Sequence, residues 1–194
     1  MLPFMQKLAR TMAVLGGLVL VLLVLLVCVS VAGRGGNTLG HWDTLEQLAP
    51  WISGALINSG IGPVAGDFEL VEAGIAFAIF AFLPLCQLQG GHASVDVFTS
   101  LLPERFNAWL AAFWEILLAG VILLITWRLF VGMLDKFGNG ETTFILQFPI
   151  WWAYAASILA ACTAALVAVY CAVARVQEAR TGRRLTPSGE GAGH

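Results

Sequence analysis

The sequence predicts an all-α integral membrane protein of four transmembrane helices with both termini in the cytoplasm. Three observations carry this: an apolar excess, its clustering into four windows, and the uneven placement of basic residues. Of 194 residues, 59% are hydrophobic and only 11% charged, and the mean hydropathy is +0.84. An ordinary soluble domain is about 45–50% apolar and about 25% charged. So few polar side chains cannot cover a water-facing surface of this size. A helix crosses a hydrocarbon core about 30 Å thick with about 20 apolar residues, and spans of that kind fall at about 11–32, 69–88, 108–133 and 148–174. They leave no room for a second, soluble domain, so 1–174 reads as one membrane domain.

The first span follows Lys7 and Arg10. A secretory signal has an apolar region of only about 7–15 residues; this uncharged run is nearer twenty, so it reads as an uncleaved first helix. Residues 33–66 then form an outer segment rich in Gly, Asn, Ser and Pro. Within it Leu45, Leu48, Ile52 and Leu56 recur at helical spacing beside Trp51. That pattern fits a short amphipathic helix lying at the interface, and equally a loop with scattered apolar residues.

The second span begins near Asp67. Glu69 and Glu72 are three apart and share one face of its first turns. Acids suit a helix N-terminus, which accounts for one of them more easily than for the pair. Pro84 near the inner end frees the carbonyl four residues earlier and predicts a kink. The inner loop carries a glycine pair at 90–91, suited to a helix end that needs positive φ. His92 and Asp96 follow, four apart, and are expected to fix this loop by hydrogen bonding. Val95, Phe98, Leu101 and Leu102 line one side of a segment resting on the inner leaflet. Pro103 and Glu104 open the third helix.

That helix carries Glu115 on a stripe with Ala108, Ala111, Ala112 and Ala119. Small residues admit a neighbouring helix closely, and ionisable residues at such depth are buried against a partner, so Glu115 is expected to face protein. Arg128 lies nearer the outer end, where its stem can snorkel. Thirteen residues separate the two, roughly 20 Å along the axis, so they cannot pair with one another. The fourth helix opens on Trp151, Trp152 and Tyr154, an aromatic belt at the outer interface. Ala156, Ala160, Ala164, Ala168 and Ala172 then repeat every fourth residue, a surface for close helix packing within this chain or with another. Residues 175–194 read as a polar, disordered cytoplasmic tail.

Orientation follows the Lys and Arg residues near span ends. Lys7, Arg10, Arg105, Arg175, Arg180, Arg183 and Arg184 fall on one side when four spans are threaded. The opposite side holds Arg34 and Lys136 among six acids. The termini are therefore placed inside.

No nucleophile–base arrangement, phosphate loop or metal-ligand spacing is present in the sequence. Cys28, Cys86, Cys162 and Cys171 lie within spans, where a free thiol acts as a small hydrophobe. His41, His92 and His194 lie outside them, which argues against axial haem ligation in a redox anchor. A stand-alone small carrier or channel, with Glu72, Glu115 and Arg128 along its path, is the remaining alternative.

One family fits these elements in order. Gly66-Asp-Phe-Glu-Leu-Val-Glu72, then Gly91-His92-Ala-Ser-Val95-Asp96 and Leu102-Pro103, resemble the DctQ-like small membrane subunit of tripartite ATP-independent periplasmic (TRAP) transporters. Phe148-Pro149-Ile150-Trp151 with Tyr154 is similar to that family's Ile-Pro-x-x-x-x-Tyr segment. Here the outer segment is longer than usual, the Arg-Tyr that often ends helix 1 is lacking, and Gln87 and Gln89 replace a basic pair. The resemblance implies a non-catalytic subunit of a bacterial inner membrane, without cofactor, and with no nucleic-acid partner. It would pack on a large DctM-like permease that holds the substrate and sodium sites, and would help dock a periplasmic binding protein delivering an organic acid. Glu69, Glu72, Glu115 and Arg128 are then the candidate contacts with the large subunit.

Overall fold

The computed structural model describes residues 2–42, 47, 51, 53–54, 60, 62–89 and 104–181. Four long helices dominate: α1 (Leu2–Gly40), α2 (Asp67–Leu88), α3 (Glu104–Asn139) and α4 (Trp151–Thr181). Each is long and apolar enough to cross a membrane. Among the described residues no strand occurs, only an isolated bridge between Thr142 and Pro149.

Two helices run further than the apolar windows suggest. At 39 residues, α1 is roughly 58 Å long at 1.5 Å per residue, so its ends project beyond the hydrocarbon. Residues 33–40, expected in the outer loop, are helical. Composition misleads here because Gly33 lies against the backbone of Gly62, where a Cβ would fall 2.1 Å from the Gly62 carbonyl oxygen. The glycine that weakens helix propensity is the one this close crossing requires. The Thr38 hydroxyl also donates to the Arg34 carbonyl (2.9 Å), and Ser53 donates to the Gly40 carbonyl at the helix end (2.6 Å). Gln47, Trp51, Ser53 and Gly54 are helical; Leu45, Leu48, Ile52 and Leu56, the basis of the interfacial reading, lie outside the described residues.

The expected tail is likewise corrected at its start, because α4 continues to Thr181. No Gly or Pro interrupts residues 175–181, and Arg175 pairs with Glu178 one turn on (3.1 Å). Residues 182–194 lie outside the described residues. At the other break, α3 ends where Gly140 takes φ +64°, the left-handed conformation that closes a helix. Pro84 sits inside α2, fully buried.

The helices lie side by side in the order α1–α2–α4–α3, with α1 touching α4 only lightly. Helix α4 is the centre: half of its most apolar stretch is buried, against 17% for α2 and α3 and 6% for α1. Its inward residues are small. Ala164, Ala165, Ala168 and Ala172 pack with Ala119 and Ile122 of α3, while Val167 and Cys171 pack with Ala9 of α1 and Leu88 of α2. Lipid tails are as apolar as leucine, so hydrophobicity alone does not bring helices together. Close van der Waals approach does, and it requires small side chains. The α1–α2 seam follows the same rule: Gly16 faces Ala81 with no room for a Cβ, and Gly74 receives the tip of the Leu23 side chain.

Candidate functional site

The end of the slab that carries the connection between α3 and α4 gathers most of the cross-helix polar contacts. Asp67, the first residue of α2, accepts a hydrogen bond from Ser30 of α1, and Arg34 lies 3.7 Å away. The Ser30 hydroxyl in turn accepts from the Val64 amide (3.2 Å). Because Ser30 is buried and Asp67 starts its helix, this cluster fixes the height of α2 against α1.

Two residues on, Glu69 reaches across to the connection between α3 and α4. Its two carboxylate oxygens accept the amides of Ile145 (2.6 Å) and Leu146 (3.0 Å). The connection is closed on itself. Thr143 N–H donates to the Phe148 carbonyl (2.9 Å), Ile150 N–H to the Glu141 carbonyl (3.1 Å), and Phe148 N–H to the Thr143 hydroxyl (3.2 Å). Lys136 and Glu141 pair at 2.6 Å at its base. Phe144 and Ile145 stand out at its tip, 97% and 59% exposed.

Beneath this loop lies a cavity of about 270 Å³, walled by α2, α3 and α4. Glu69, Glu72, Ala73 and Ala76 come from α2, Leu129 from α3, and Tyr154 and Ser157 from α4. Ser157 is 2% exposed, and its hydroxyl is buried with no hydrogen-bond partner among the described residues. Glu72 is exposed, and Arg128, also exposed, sits beside Leu129 on α3. Thr126 beside Ala161 and Gly132 beside Tyr154 put Arg128 near the height of Ser157. Cys171 beside Gln87 puts Glu72 at the height of Ala156. The two charges therefore share one depth on either flank of α4, and among the described residues neither makes an ion pair.

Glu115 lies far from them, in the N-terminal half of α3. It accepts a hydrogen bond from Gln87 of α2 at 2.5 Å, so the polar bond there joins the two helices that flank α4. Its stripe divides: Ala112 and Ala119 are buried, Ala108 is half-buried and Ala111 exposed. On α4, Ala160, Ala164 and Ala168 are within 1% of full burial and Ala156 is half-buried. Trp151 and Tyr154 are half-buried and Trp152 exposed; Trp151 meets Phe137 edge-on at 5.5 Å. Gly91, His92, Asp96 and Pro103 lie outside the described residues.

Sequence reading missed Ser30 and Ser157, and noted Gln87 only as a replacement for a basic residue. Ser30 and Ser157 are lone polar residues in apolar runs, a weak signal that acquires meaning only with a cross-helix neighbour. Among the described residues no three His, Cys, Asp or Glu side chains converge to hold a metal.

Fold and site together define a polytopic membrane protein whose helices form an open slab, one helix deep. The family model for tripartite ATP-independent periplasmic transporters, DctQ component, matches residues 59–180. This covers more than half of the chain, which therefore belongs to the DctQ family: it is an inner-membrane component of a TRAP transporter. Neither curated proteins nor solved structures gave a significant match.

Proposed function

We propose that the chain is the non-catalytic scaffold of its transporter. It packs on the large DctM-like permease and helps dock the periplasmic binding protein for ion-coupled uptake of an organic acid. Substrate and sodium would be handled by the large subunit, and this chain would need no cofactor. Both termini are taken as cytoplasmic, from the distribution of Lys and Arg.

The observation that carries this reading, beside family membership, is the open slab. Only α4 is substantially enclosed by its own chain, and α1 is 6% buried along its most apolar stretch. Such an arrangement offers broad faces to a partner and to lipid rather than enclosing a path. A stand-alone carrier would want Glu72, Glu115 and Arg128 along one route. Instead Glu115 is bonded to Gln87 in the inner half, while Glu72 and Arg128 lie on exposed faces near the outer end.

The test is purification of the C-terminally tagged chain from native membranes in mild detergent, with mass spectrometry of accompanying proteins. A larger polytopic partner in stoichiometric amount is expected. A partner-free chain that moves solute in liposomes would overturn the scaffold reading.

A further inference from the structure

The cavity beneath the 141–150 loop combines features that a packing defect lacks. Its walls near α3 and the loop are apolar, through Leu129, Ile150 and Phe148. Its polar groups are Glu69, Glu72, the hydroxyls of Thr143 and Tyr154, and the orphan hydroxyl of Ser157. Glu69 is committed, since each of its oxygens already holds a loop amide. Thr143 holds the Phe148 amide, which leaves the Glu72 carboxylate and the Ser157 and Tyr154 hydroxyls. A serine within a helix ordinarily donates to a carbonyl one turn back, as Thr126 does on α3 (2.8 Å). Ser157 does not, although it is 2% exposed. A buried hydroxyl left without a partner costs free energy, and native structures rarely leave one so.

From these features we infer that the cavity is a socket for one basic side chain, a lysine or arginine, of the large subunit. The inference rests on the scaffold reading above. The complementarity is twofold. A long basic side chain has an apolar stem and a charged head, matching an apolar wall that ends on a carboxylate. Its N–H groups also donate to the acceptors left free, Glu72, Ser157 and Tyr154. At about 270 Å³ the cavity lies at the low end of small-molecule pockets, about 300 to 1,000 Å³, and its carboxylate favours a cation over an anionic solute or lipid head. Depth adds the need. Glu72 lies five residues into α2, roughly 7 Å along the axis, where a carboxylate at the membrane border calls for a counter-charge.

The test uses the full chain co-expressed with its large subunit. Phe148, which lines the cavity, is replaced by photo-reactive p-azidophenylalanine, which adds only an azide to the ring. Ultraviolet cross-linking is expected to capture a large-subunit peptide containing Lys or Arg. Independently, Glu72→Gln is expected to lower recovery of the large subunit about thirtyfold, the low end of the range for breaking a buried charge pair. Glu72→Asp should restore most of it, and all variants should elute as the wild-type chain does in size exclusion. Cross-links to lipid alone or within this chain, with the complex still co-purifying, would overturn the socket and leave the scaffold reading standing. Failure of the unsubstituted chain to co-purify with the large subunit would overturn both.

Discussion

Glu69 shows how little a residue's type says about its task. Near a helix N-terminus an acid is favoured by the helix dipole, and its neighbour Asp67 plays a local part by accepting the Phe68 amide (2.8 Å). Glu69 instead holds a loop more than seventy residues away, through the amides of Ile145 and Leu146. A glutamine retains one carbonyl acceptor and loses both the charge and the second. Glu69→Gln should therefore loosen the loop without disturbing the helices. Hydrogen–deuterium exchange in nanodiscs should show faster exchange at 143–148 and unchanged exchange in α4. Unchanged exchange at Ile145 and Leu146 would show that the loop holds itself. The sequence brought Glu69 and Glu72 forward as a pair on one face, and that much is helical geometry. Their division of labour, one capping and one uncommitted, depends on which of them the distant loop reaches.

At the scale of the element, the alanine repeat on α4 has an energetic meaning that its period alone could not assign. Every fourth residue advances about 40° around a helix of 3.6 residues per turn, so the period alone does not say which neighbour the stripe meets. Ala164, Ala168 and Ala172 meet α3, while Val167 and Cys171, one residue earlier in each case, meet α1 and α2. Ala164→Leu forces three extra carbons into a contact that is 1% exposed. It should destabilise the fold by about 1–3 kcal/mol in reversible detergent-denaturant titration. Leu159→Ala is the matched control, because Leu159 is 68% exposed and sits away from the seams; its effect should stay within about 0.5 kcal/mol. Equal effects from both would mean that α4 packs in some other register. The helix ends are a similar case. Gly33 and its neighbours argue for a loop by propensity, yet the crossing with Gly62 makes a glycine necessary there.

For the whole molecule, the consequence of a slab only one helix deep is that most apolar surface remains for others to cover. Its orientation is testable without any partner. With termini inside, a green fluorescent protein fused at the C-terminus should fluoresce and an alkaline phosphatase fused there should be inactive. The converse pair of results would invert the slab, and would place the Glu69-held loop and its exposed Phe144 in the cytoplasm. The order α1–α2–α4–α3 also separates the two polar sites by depth. The one at the start of α2 ties it to α1 and to the α3–α4 loop; the one at its end ties it to α3 through Gln87 and Glu115. Helices α2 and α3, not consecutive in packing, are thus linked near both ends, and the cavity lies between those links.

The sequence by itself determined the class of protein, the four spans and the family. All three depend on local quantities: apolar length, small-residue spacing and short motifs. It also marked Glu69, Glu72, Glu115 and Arg128 as residues needing explanation, because a charge within an apolar run is costly wherever it lies. Only the tertiary structure decided which of those charges are answered within the chain. Glu69 and Glu115 find donors on other elements, across gaps of 76 and 28 residues, while Glu72 and Arg128 find no ion-pair partner among the described residues. Ser157 has no local anomaly to betray it; a serine among alanines is unremarkable until α2, α3 and a folded loop enclose it. The physical reason is the range of the interaction. Partition into the bilayer is a property of each segment, whereas the satisfaction of a polar atom depends on the register between segments, which no single segment contains.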